Sequence, residues 1–291
     1  MSETASFHHL TLATTTRLPG FPDEQRLRAA VRAQARVAGP RLRLFAVVDD
    51  HAHAVARASA AEAGRLGRAL RLSLGALSPE PIAPARVTPV EDRNHLESLV
   101  RYCLVQPSKH GIAVHPATWT GSCFPDLVGA RRLAGFELAI TTALPRFRTR
   151  SAYAHVGLPE LRIGPAADAV LRGVGPQKLA ALAAEAFGAG PELGARDLLS
   201  VRVREVVVKL GHEIGLRTGD VAEVLSLTPR GVQLALARDV GPGHRADARA
   251  VRTRVALDLA VAVAGPRAPV PVALHGSGRG RAPGPGARRG A

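Results

Sequence analysis

The chain has 291 residues, is 46% hydrophobic and carries 39 Lys plus Arg against 24 Asp plus Glu, a net charge of +15. That length and apolar content suffice for two domains with separate cores, and the charge favours a polyanionic partner such as DNA over a membrane surface. Cys103 and Cys123 form no CxxC pair, no basic-then-apolar leader opens the chain, and prolines with Asp258 and Arg267 interrupt its longest apolar tract; these features imply a reducing, cytoplasmic setting without a membrane span.

Lys occurs only at positions 109, 178 and 209 and Asn only at 94, while Ala, Arg, Gly and Pro abound. GC-rich coding bias exchanges Lys for Arg but does not create a surplus of positive charge. Nucleic-acid binding is therefore expected before any motif is read.

In chain order, "FHHLTLATTT" (7–16) predicts a strand, and Asp23 caps a helix through "EQRLRAAVRAQARVA" that Gly39-Pro40 stops. "RLRLFAVV" (41–48) and "HAHAVARAS" (51–59) predict a hairpin closed at Asp49-Asp50. A helix over 60–77, a short edge strand in the proline-rich "SPEPIAPARVTP" and a helix from about Asp92 to Gln106 follow. Such a β-α-β-β-α-β order with an added helix is the ferredoxin-like arrangement. Residues 124–169 show no clear period and read as a connector with one or two helices. Helices are expected over 175–190, 198–215, 218–227 and 228–240, and the last 27 residues, rich in Arg, Gly and Pro and free of acids, as a disordered basic tail.

His51 and His53 stand two residues apart, so in a strand both imidazoles share a face and can grip a metal ion. With 11 His in the chain, about 0.4 such triplets arise by chance, so the pair gains weight only from context. Asp49 and Asp50 either join the pair as ligands or cap the turn, and turn chemistry favours the second. His8 and His9 read as surface or core histidines.

Four ordered pieces supply context: "FHHLTL", "RLFAVVDDHAHAV", "LVRYCLVQPSKHGI" and "TWTGS". Residues 7 to 122 resemble the REP-associated tyrosine transposases of the HUH superfamily, where these positions hold the opening strand, the His-hydrophobic-His hairpin, an arginine-tyrosine helix and a tryptophan-serine-serine segment. The resemblance implies a DNA partner, a Mg²⁺ or Mn²⁺ ion on His51 and His53 with a third polar ligand, attack by a tyrosine on a DNA phosphate, and a homodimer. This chain departs from the family on the helix after the His pair: where the family has its tyrosine and a polar ligand, "GRLGRALRLSLGAL" offers neither. Tyr102 matches a tyrosine of the "VRY" helix and reads first as core packing, with a catalytic role the lesser reading; Tyr153 falls outside the matched block. A transposase-like domain with impaired strand cleavage is expected.

"RTGDVAEVLSLTPRGVQLALARD" (217–239) reads as a helix-turn-helix, with Thr228 as cap and Pro229 at the first helical position. Arg230 and Gln233 would reach base edges, and Arg217, Thr228 and Arg238 phosphates. Residues 175 to 240 also resemble the C-terminal extension of many of these transposases, which is similar to the DNA-binding domain of the chromosomal replication initiator. The chain is thus expected to be α+β: a ferredoxin-like transposase domain over 1–123, a connector over 124–169, an all-α helix-turn-helix domain over 170–262 and a tail over 263–291. Two alternatives stand beside a DNA-binding transposase relative: an active metal-dependent single-strand transposase or nickase with a nonstandard nucleophile, and a helix-turn-helix transcriptional regulator.

Overall fold

A computed structural model describes residues 6–265 except 113, 135, 137–139, 146, 162–165 and 239–241. The expected tail, from residue 266 onward, lies outside the described residues, and residues 263 and 264 end a helix. The chain is a mixed α and β structure with one four-stranded antiparallel sheet among the described residues.

The strands are β1 (Ser6–Ala13), β2 (Leu42–Val47), β3 (His51–Ala58) and β4 (Arg86–Pro89), in the order β2-β3-β1-β4. Helix α1 (Glu24–Ala38) connects β1 to β2, and α2 (Ala60–Gly75) connects β3 to β4. Local chemistry fixes both helix starts. Asp23 accepts the Arg26 amide at 2.8 Å, and Ser59 with Glu62 forms a reciprocal capping box that satisfies two otherwise orphaned amides.

Both helices pack on one face of the sheet. Gly67 of α2 sits so near β4 and β1 that an added Cβ would lie 2.8 Å from the Ala85 Cβ and 3.5 Å from Leu10, so only glycine lets the helix settle at this depth. Leu10 therefore points to the helices, and strand alternation turns Phe7, His9 and Thr11 to the other face. The register pairs Thr11 with His53 and Ala13 with His51, which puts both histidines on that second face.

Helix α3 (Arg93–Leu104), capped by Asp92, contacts β2 and is followed by α4 (Gln106–Lys109). The segment "TWTGS" extends the sheet beside β2: the Trp119 indole donates to the Val47 carbonyl at 2.9 Å, Val47 donates to the Gly121 carbonyl at 2.8 Å, and Ala46 bridges Ser122. Short helices α5 (Phe124–Leu127), α6 (Ile140–Ala143) and α7 (Thr149–Val156) follow. Their buried Phe124, Ile140 and Tyr153 join the hydrophobic cluster that includes the sheet and α1, so the span expected as a connector packs into that core.

A second cluster unites α8 (Ala166–Ala186), α9 (Leu198–Glu213), α10 (Thr218–Val224), α11 (Pro229–Ala237) and α12 (Pro242–Ala264). Helix α8 bends at Gly175, φ 74°. Helix α12 went unread in the sequence; it packs mainly on α8, with Val251 and Val255 in the second cluster and Leu257 in the first.

Candidate functional site

His51 and His53 lie on one face of β3 with ring centroids 4.7 Å apart, and both are buried. Their partners then divide them into two groups.

His51 belongs with Asp50 and His110. Its Nδ1 is 2.6 Å from an Asp50 carboxylate oxygen, and its ring centroid is 4.7 Å from that of His110, the residue that ends α4. One donor atom from each of the three lies within 4.8 Å of the others. His110 is exposed, so this group opens to solvent. Burial raises the Asp50 carboxyl, but the hydrogen bond and charge of His51 outweigh it and leave the group below its usual range. Burial, then the charge of His51, lowers His110. A carboxylate and an uncharged imidazole are the forms that a divalent cation takes as ligands.

His53 belongs with β1 and α3. Its Nδ1 lies 3.2 Å from His9 Nε2 and 3.4 Å from the Thr11 hydroxyl, while its Nε2 lies 3.4 Å from the Tyr102 hydroxyl. A neutral ring with the proton on Nδ1 satisfies this set, donating to His9 or Thr11 and accepting from Tyr102. Burial, then the neighbouring His51 and His9, pushes His53 down to about 2. Burial, then His95 and Arg86, pushes His9 down to about 4. Burial raises the Tyr102 phenol, over whose ring Lys109 Nζ stands 4.2 Å from the centroid.

The sequence pair thus serves two groups. At the turn, the Asp49 and Asp50 carbonyls accept amides of Gly20, Phe21 and Thr14, while the Asp50 side chain turns to His51. His9 and His110 are the additions. Nothing in their spacing marks them, because α3 and α4 must cross the sheet before His110 reaches β3.

The residues expected to form a helix-turn-helix lie elsewhere, on α10, α11 and the turn between them. Thr228 accepts the Gly231 amide at 3.1 Å and Pro229 occupies the first turn of α11. Ser226 takes φ 52° in the preceding turn. Val221, Ala222, Leu225 and Val232 are buried, and α10 and α11 both pack on α9. Thr228, Arg230 and Gln233 are exposed, together with Leu234, which the sequence did not single out. The Arg217 side chain is 87% exposed, 4.0 Å from Asp220, and Arg238 lies 3.5 Å from Glu205.

No family model and no curated protein matches the chain. Among solved structures, a REP-associated tyrosine transposase bound to a REP hairpin is similar with 16% identity over 43% of this chain and 80% of that one, at a TM-score of 0.35. No described helix is long and apolar enough to cross a membrane.

Proposed function

We propose that the protein is a DNA-binding relative of the transposases, gripping duplex DNA through α10 and α11 and carrying a metal-holding, ferredoxin-like domain with impaired strand cleavage. The observation that carries it is the outer face of α11: Arg230, Gln233 and Leu234 stand exposed on a second helix capped by Thr228, in a chain of net charge +15. A guanidinium, an amide and an apolar tip are the groups that read guanine, adenine and the thymine methyl in a major groove. Selection from a random duplex pool with the full chain, followed by salt titration, tests it: one enriched motif and a steep negative salt slope are expected. Recovery of no motif overturns the reading.

The ferredoxin-like assignment rests on the β2-β3-β1-β4 order and the helices between the strands. Asp50, His51 and His110 suit a divalent cation, and two nitrogens with one oxygen favour Mn²⁺ over the harder Mg²⁺. Such an ion supplies charge withdrawal from a phosphate oxygen. The impaired-cleavage reading rests on α2, which presents no tyrosine.

One observation favours a second reading, an active strand-cleaving enzyme. The Tyr102 hydroxyl is 3.4 Å from His53 Nε2, where an uncharged imidazole accepts the phenol proton as the oxygen attacks phosphorus, one P–O ester bond of the strand breaks and the departing sugar oxygen leaves as a hydroxyl with a proton from solvent. Burial opposes this by holding the phenol above its ordinary value.

A further inference from the structure

A cleft of about 840 Å³ opens where the segment after α5 meets α9 and α12. Four guanidinium groups line it: Arg131, Arg132, Arg202 and Arg249. They are not equivalent. Arg131 is spent within the protein, donating to the Thr120 and Ser122 carbonyls at 2.6 Å each and to the Asp126 carboxylate.

Arg202 and Arg132 are held but not exhausted. Asp247, buried on α12, takes Nε and Nη2 of Arg202 at 2.8 and 2.6 Å and lies 2.9 Å from Arg132 Nε. The Arg202 plane also stands over the Phe187 ring at 4.9 Å. Among the described residues its Nη1 is left over, as are the two terminal nitrogens of Arg132. Arg249, one turn and a half after His244 on α12, is exposed, and its guanidinium has no partner among the described residues. Two carboxylates, Asp126 and Asp247, therefore face four cations, and the surplus points into a cleft whose wall includes the apolar Val128 and Leu133.

We infer that this cleft binds the phosphate of a nucleotide unit, with Arg132, Arg202 and Arg249 on its oxygens and the sugar or base against Val128 and Leu133. Guanidinium forks match phosphate oxygens in a planar, directional way. Asp247 is a positioning residue: by fixing the Arg202 fork with two hydrogen bonds and pairing with Arg132 it lowers the entropy lost when an anion arrives. The site lies apart from the His cluster and from the α11 face, and the inference does not depend on either. The same chemistry serves a strand's backbone phosphate or a free nucleotide, and the test separates them.

The full-length protein is titrated with fluorescein-labelled single-stranded (dT)12 by anisotropy, and with AMP and inorganic phosphate by calorimetry. Arg249→Glu is compared with Arg68→Glu, an equal charge change at an exposed position of α2. Melting temperature monitors the fold, which an exposed Arg249 leaves intact. The expected result is about a tenfold loss of (dT)12 affinity beyond that of Arg68→Glu, with Arg249→Ala lowering the salt slope by about 0.7. AMP binding that is also lost assigns the site to nucleotides free or joined; loss confined to (dT)12 assigns it to a strand. If Arg249→Glu and Arg68→Glu behave alike toward all three probes, the site does not exist. If Arg249→Glu weakens only duplex binding and adds nothing to Arg230→Ala/Gln233→Ala, the arginines are an outlying part of the α11 contact and the inference fails, while the helix-turn-helix reading stands.

Discussion

The Tyr102 hydroxyl stands 3.4 Å from His53 Nε2 and links α3 to the imidazoles of the sheet. Replacing Tyr102 by Phe removes one donor and leaves the ring packed against His53, so the expected loss of stability is about 1 kcal/mol. Mn²⁺ affinity is expected to stay within about twofold, since Tyr102 is not among the three clustered donors. Incubation of labelled hairpin DNA with Mn²⁺ then tests cleavage. No covalent adduct is expected from the parent protein; one that forms and vanishes in Tyr102→Phe makes Tyr102 the nucleophile and establishes the enzyme reading.

The division of the histidine pair makes a sharper claim about metal. His110→Ala removes a clustered donor and is expected to weaken Mn²⁺ binding by at least about tenfold, whereas His53→Gln is expected to change it less than about threefold. Calorimetry with Mn²⁺ reads both. Equal losses from His53→Gln and His51→Ala, with none from His110→Ala, would return the site to the simple His51 and His53 pair that strand alternation suggests.

Much of the fold was legible because its signals are local. Asp23 before an amphipathic run, the His-Ala-His-Ala repeat that opens β3 and Thr228-Pro229 each act within a few residues. The rest depends on contacts distant in sequence. Residues 124–156 lack a period because their helices are short and proline-interrupted, yet burial of Phe124 and Tyr153 against each other at 5.3 Å ties them to the core. Helix α12 opens with Pro242 and Gly243, residues of poor helix propensity, and no helix was expected there. His110 reaches His51 only through the path of α3 and α4. In the site, strand period found the two rings but could not show that each has different neighbours.

Acid should destabilise the fold through His9. Its pKa falls from 6.5 to about 4, so between those values the unfolded chain binds a proton that the folded chain refuses. Stability then rises with pH across the window and is lost as pH falls from about 6.5 toward 4, by at most roughly 3 kcal/mol from this group. His155, lowered by burial and then by Arg101, acts with the same sign. Thermal melts from pH 4 to 7 measure the slope. His53, pushed down to about 2, adds to the slope over the same window, so His9→Gln, which cannot take up the proton, is expected to reduce the slope without abolishing it, and an unchanged slope removes His9 from the account.

Asp126 and Arg131 form an ion pair whose side chains are only 4% and 3% exposed. The pair braces the segment that carries Trp119 and Gly121 to β2, because Arg131 also holds the Thr120 and Ser122 carbonyls. Asp126→Ala leaves a buried guanidinium without its counter-charge and is expected to cost about 3 to 5 kcal/mol in urea unfolding. A loss below about 1 kcal/mol would mean that water reaches Arg131 and that the brace is dispensable. Gly121→Ala probes the same seam, since an added Cβ would lie 2.0 Å from the Val47 carbonyl oxygen.

The proposed duplex reading assigns base contacts to the outer face of α11 and phosphate contacts to Arg217 and Arg238, and substitution separates the two. Arg230, Gln233 and Leu234 project from the first two turns. Arg230→Ala and Gln233→Ala are each expected to cost about 1 to 3 kcal/mol on the selected duplex and to relax preference at one base pair apiece. Leu234→Ala should weaken discrimination at a thymine. Arg217, at the start of α10 and 87% exposed, is expected to act on phosphate: Arg217→Ala lowers affinity for all duplexes alike and reduces the salt slope by about 1. Arg238 already faces Glu205 at 3.5 Å, so Arg238→Ala should cost less than Arg217→Ala. Uniform losses from all these changes, with the sequence preference unaltered, would mean that α11 lies on the backbone and that no base is read from this helix.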